Sequence, residues 1–150
     1  MKKWILYLLL ATFILIQFYP MSKPAVIKSN PSDLIGNVNV PDNISLLLRS
    51  ACYDCHSNET NYPWYASLAP LKWWMYNHIN EGREELNFSE WDTINKLDKT
   101  ELLDDIISAL EEKEMPLKAY PLTHPKAKLS DVDRQEIIDW AEIHMEELFE

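Results

Sequence analysis

Apolar residues run from Trp4 to Tyr19, interrupted only by Thr12 and Gln17. A segment apolar on every face is not the one-sided stripe of a surface helix. From Met21 to Val40 the chain becomes polar and punctuated, with Pro24, Pro31 and Gly36, and reads as a linker. Beyond Pro41 the spacing turns helical. Ile44, Leu47, Leu48 and Ala51 keep to one helix face, and Cys52 closes that helix. Pro70 suits the first turn of the next helix, whose shared face holds Leu71, Trp74, Met75, His78 and Ile79 until Gly82 weakens or ends it. Ser89 is expected to cap a short segment containing Trp91. Asp98 or Thr100 then starts a helix carrying Leu103, Ile106, Ile107 and Leu110, which ends at Met115-Pro116 because a residue before proline avoids helical angles. A proline-rich loop leads to Ser130 and Asp133, a capping-box-like start for a last helix with Ile137, Ala141 and Leu148 inward. No strand alternation or repeat is visible, so the expected fold class is all-α.

Lys2 and Lys3 precede the first apolar run. That order predicts a signal anchor over residues 1–20: a single N-terminal transmembrane helix with its start in the cytoplasm. No Ala-x-Ala cleavage site follows, which favours an anchor over a cleaved signal. Sixteen helical residues reach about 24 Å, against a hydrocarbon core of roughly 30 Å. Local thinning and snorkelling lysines are expected to close the gap. The expected placement is the bacterial cytoplasmic membrane, single-pass, with linker 21–40 and domain 41–150 on the periplasmic side.

Composition narrows the chemistry. Formal net charge is -10, which excludes nucleic acid as a partner, since phosphate contacts need a basic surface. The same charge attracts a partner with a basic patch. With only 2 glycines, Gly36 and Gly82, glycine-rich phosphate loops are absent. The 2 cysteines are Cys52 and Cys55, too few for a disulfide framework.

Cys52-Tyr53-Asp54-Cys55-His56 is a C-x-x-C-H sequence, the signature of covalent haem attachment. Two thiols at this spacing reach the two vinyl groups on one porphyrin edge, and the next residue brings an imidazole under the iron. The expectation is one haem c, bonded to Cys52 and Cys55 with His56 as proximal ligand. Three alternatives compete: a thioredoxin-like pair, which would want a preceding strand; a disulfide; and a zinc site, which would borrow His78, His124 or His144.

Met115, stiffened by Pro116, is the leading sixth ligand. His124, His78 or an open position are the alternatives. A Met/His pair points to a one-electron carrier serving redox partner proteins of the cell envelope, rather than to a catalyst. An open or displaceable position points instead to a haem enzyme, or to a sensor of peroxide or a gas. Trp64, Tyr65, Trp73, Trp74 and Trp91 are candidates for the pocket wall, Trp140 the first choice for the haem edge, and Arg83 a candidate propionate partner.

The C-x-x-C-H motif, the Met115-Pro116 loop and the helix after Ser130 resemble class I cytochrome c in order and spacing. More closely, the run from Cys52 to Tyr65 (CYDCHSNETNYPWY) is similar to a small haem-binding domain family of bacterial envelope proteins, as are HINEGREELNFSEW, EMPLKAY and HPKAKLS. The resemblance implies a cytochrome-c-like helical domain, thioethers at Cys52 and Cys55, a proximal His56, and a Met-Pro loop at Met115 and Pro116.

Overall fold

A computed structural model describes residues 2–150. The elements are α1 (Lys2–Gln17), α2 (Leu34–Asn37), α3 (Asp42–Ala51), α4 (Tyr53–His56), α5 (Leu71–Glu85), α6 (Lys96–Glu111), α7 (Tyr120–Thr123) and α8 (Asp131–Glu147). Short 3-10 turns cover Trp64–Ser67, Phe88–Thr93 and Pro125–Ala127. No strand occurs among the described residues, so the all-α class stands.

The preceding membrane span does not. α1 has 16 residues, and no helix among those described is long and apolar enough to cross a membrane. The helix ends where Gln17 meets a distant part of the chain. Its side chain donates to the Ala69 carbonyl at 3.2 Å and accepts from the Ala69 N–H at 2.9 Å. Lys72 adds a bond to the Gln17 carbonyl at 3.0 Å. The apolar run therefore ends docked on the domain, short of the roughly 30 Å a span needs. The single-pass placement with a periplasmic domain falls with it.

Residues 21–40, read as a linker, wrap the domain. Leu34 is wholly buried, and the Pro24 carbonyl accepts from the Tyr62 hydroxyl at 2.9 Å. The backbone N–H of Ile27 donates to the Asn58 carbonyl at 2.8 Å.

One core joins α3, α6 and α8, with α6 lying along α8 and α4 resting on α5. Leu48, Leu103 and Ile137 are fully buried at its centre. Burial of each such side chain contributes about 1.5–3 kcal/mol. The 3-10 turn adds Phe88 and Trp91, both 1% exposed.

Helix starts follow side-chain caps. Asn95, and not Asp98 or Thr100, begins α6 by accepting from the N–H groups of Leu97 and Asp98. Asn87, and not Ser89, caps the Phe88 turn. Ser130 and Asp133 form the reciprocal box expected for α8. In α5 the buried residues are Tyr76 and Ile79, while Leu71 and Trp74 are exposed. Gly82 does not end that helix, which continues to Glu85.

Candidate functional site

α3 and α4 meet at Cys52, whose backbone angles (φ -119°, ψ -42°) turn the chain without a side-chain cap. The N–H groups of Cys55 and His56 both donate to the Cys52 carbonyl, at 3.1 and 2.9 Å. This tight turn holds the two cysteines and the histidine as one unit. Its intervening residues pin it to the rest of the domain. The Tyr53 hydroxyl donates to Asp33 at 3.1 Å, and the Tyr53 ring stacks on Phe88 at 5.1 Å. Asp54 accepts from the Tyr120 hydroxyl and from the Asn61 N–H.

The His56 ring has an unambiguous environment. Its Nδ1 faces two carbonyls, Gly82 at 2.7 Å and Leu86 at 3.2 Å. Carbonyls only accept, so Nδ1 carries the proton and Nε2 keeps its lone pair. Burial lowers the His56 pKa, which favours the neutral imidazole that a metal requires. Phe88 sets its ring edge-on to His56 at 6.4 Å. α5 comes close enough to offer the Gly82 carbonyl because residue 82 has no side chain. A Cβ there would lie 3.1 Å from the Cys55 carbonyl oxygen and 3.4 Å from the Cys55 Cβ.

Beside this turn opens a cavity of about 400 Å³, within the roughly 300–1,000 Å³ usual for ligand sites. Leu48, Cys52, His56 and Phe88 line it from the earlier part of the chain, and Leu102, Ile106, Ala109, Met115 and Ile137 from the later part. Four exposed acids, Glu85, Asp105, Glu112 and Glu114, edge it.

The cavity thus brings Cys52, His56 and Met115 together from residues far apart in the chain. Cys55, the fourth expected site residue, is not among the lining residues; its backbone carbonyl and Cβ lie close to Gly82. The rival sixth ligands, His78 and His124, do not line it. His78 packs on Trp74 at 4.3 Å, and His124 stacks on Tyr120 at 4.2 Å.

Met115 owes its place to the end of α6. Lys113 adopts a left-handed φ of 57°, which reverses the chain after the last turn. The N–H groups of Glu114 and Met115 then both donate to the Ala109 carbonyl, at 3.0 and 3.3 Å.

Two expectations fail on position. Trp140 stacks on His144 at 5.7 Å and lines a separate cleft of about 350 Å³, because α8 turns Ile137 and not Trp140 toward the main cavity. Arg83 is committed to the Ser57 carbonyl at 2.8 Å, the Ala25 carbonyl at 2.9 Å and Thr60 Oγ1 at 2.9 Å. It clamps the 25–60 region and has no fork left for a propionate. Of the tryptophans and Tyr65 offered as wall residues, none lines the cavity; aliphatic side chains and Phe88 take that role.

The competing chemistries fit less well. Burial pushes the Cys52 thiol up to about 12 and the Cys55 thiol up to about 11, with Cys55 and the Asp54 carboxylate respectively adding to the effect. Thiols held protonated are poor redox nucleophiles. No group of three or more His, Cys, Asp or Glu suited to a metal ion occurs among the described residues, which disfavours a zinc site.

The residues present do fit a haem. A largely apolar cavity is lined by an imidazole whose Nε2 keeps its lone pair, by a thioether and by a thiol. The family described as "Haem-binding domain" matches residues 11–143, most of the chain. No curated protein and no solved structure matches it.

Proposed function

The chain belongs to the haem-binding domain family, and from that membership we propose that it holds one covalent c-type haem and relays single electrons to and from a protein partner. Cys52 and Cys55 carry the thioether links, His56 is the proximal ligand, and Met115 is the distal one. When bound, the haem supplies a one-electron iron couple whose potential a His/Met pair raises.

The observation that carries the reading is the His56 Nδ1–H held by the carbonyls of Gly82 and Leu86. Such a second bond fixes the tautomer, orients the ring and raises the basicity of Nε2. Leu48, Phe88 and Ile106 keep water from the site and lower its polarity. Met115 in the same cavity favours a carrier over a catalyst, because a filled sixth position leaves peroxide or a gas nothing to bind. The acidic edge suits a partner with a basic patch.

Protein made in a cell able to attach haem tests this directly. Its mass should exceed that of the polypeptide by one haem, and its ferric form should be low-spin with the weak near-infrared band of methionine ligation. Met115→Ala should abolish that band and leave the added mass unchanged. A bare-polypeptide mass refutes covalent attachment, and a high-spin ferric spectrum in the parent refutes the filled sixth position.

A further inference from the structure

α8 reaches the Met115 loop through two side chains: exposed Asp131, which pairs with Lys113, and Arg134, which goes to the backbone. Arg134, half-buried, donates from Nη1 to the Met115 carbonyl at 2.5 Å, and the same nitrogen lies 3.4 Å from the Leu110 carbonyl. Leu110 is among the last residues of α6, and its carbonyl also accepts from the Lys113 N–H at 3.3 Å. The Met115 N–H is already bound to Ala109. Both backbone polar groups of Met115 are therefore occupied, one by the wall of the cavity and one by α8. Its backbone is thus fixed where Met115 lines the cavity.

We propose that Arg134 is a positioning residue: by gripping the Met115 carbonyl it holds the Met115 thioether at the cavity, where it can serve as the distal ligand. This rests on the reading of Met115 as the distal ligand. The physical need for such a grip is plain. A thioether is a weak ligand and binds only if little freedom is lost on binding. The loop's other side-chain tie to α8, Lys113 to Asp131, is exposed on both partners and contributes little. A charge-assisted hydrogen bond is roughly twice as strong as a neutral one. Arg134 is itself firmly held, because its own N–H donates to the Ser130 carbonyl at 3.1 Å, within the capped first turn of α8. One turn further on, Ile137 forms part of the cavity wall, so grip and wall belong to one rigid element.

The test uses haem-loaded protein, with Arg134→Met and Arg134→Lys. The methionine band and the far-ultraviolet helix signal are followed together during urea titration. In the parent both should vanish in one transition. In Arg134→Met the ratio of methionine-bound to unbound iron should fall roughly tenfold or more, the amount one charged hydrogen bond commands. The band should then fade well before the helices melt. Arg134→Lys keeps the charge without the planar fork and should lie between; if Arg134→Met does not fold, this variant decides alone. A purely structural Arg134 would move both signals in parallel, and that result overturns the proposal, as does an unchanged band. A parent protein that lacks the band refutes the Met115 reading and this role with it. A parent that has the band, with variants that leave it untouched, refutes the role of Arg134 alone.

Discussion

Gly82 touches two parts of the site at once, and no other residue type can do so. Its carbonyl holds His56, and its missing side chain lets α5 close on the Cys55 backbone. Adding a methyl at 3.1 Å from a backbone oxygen forces α5 or the cysteine turn to shift. Gly82→Ala gains helix propensity, but overpacking of this kind typically costs about 1–3 kcal/mol. The expected outcome is a net loss of stability in chemical denaturation, together with a changed His56 environment in the haem-loaded spectrum. An unchanged spectrum with raised stability would contradict the close-approach argument. Sequence spacing alone discloses the thiols and the imidazole, because their chemistry lies in their identity. It suggests only weakening for Gly82, because a missing Cβ leaves no periodic trace. Arg134 is illegible for a related reason: its partners are backbone carbonyls, which every residue possesses.

Helix ends decide where the site residues stand. The box at the start of α8 joins the Ser130 hydroxyl to the Asp133 N–H at 3.1 Å and the Asp133 carboxylate to the Ser130 N–H at 2.7 Å. Ser130→Ala should cost about 1 kcal/mol, measurable as a lower urea midpoint. Those hydrogen bonds hold the Asp133 carboxyl below its ordinary value of 3.8. A depressed carboxylate pKa means that the unfolded chain binds the proton more readily. The stabilisation from this group is therefore full above about pH 4 and declines as pH falls toward the folded value. Asp133→Asn should flatten that acid limb of the stability profile; an identical acid limb would exclude the carboxylate from the cap. This start is readable because a box is a local pattern of side chains. The starts of α6 and the Phe88 turn are displaced because several neighbouring residues qualify as caps, and packing of Leu103 and Phe88 selects among them. The N-terminal segment misleads for a different reason. Hydropathy reports how apolar a run is, whereas the end of α1 depends on Gln17 meeting Ala69 from a distant part of the chain.

Over the whole molecule, a net charge of -10 is joined to a cavity edged by Glu85, Asp105, Glu112 and Glu114. Charges of one sign around an opening steer oppositely charged partners, and salt screens the effect over about 10 Å at 0.1 M. Electron exchange between haem-loaded protein and a basic redox protein should slow steeply with added salt. Replacing Glu112 and Glu114 by Gln should reduce the low-salt rate several-fold and flatten the salt dependence. Equal rates at all ionic strengths would remove the acidic edge from partner selection. The order of the cavity lining along the chain also carries a consequence for biogenesis. Cys52 and His56 come early, while Leu102, Met115 and Ile137 are translated only after all of α5 and the Phe88 turn. A growing chain thus carries Cys52 and His56 on an open shelf before the later lining exists. A broad, rigid disc is admitted sideways far more readily onto that shelf than through the finished slit. Cofactor insertion would then belong to the nascent or partly folded protein, and the last helix would act as the latch that ends it.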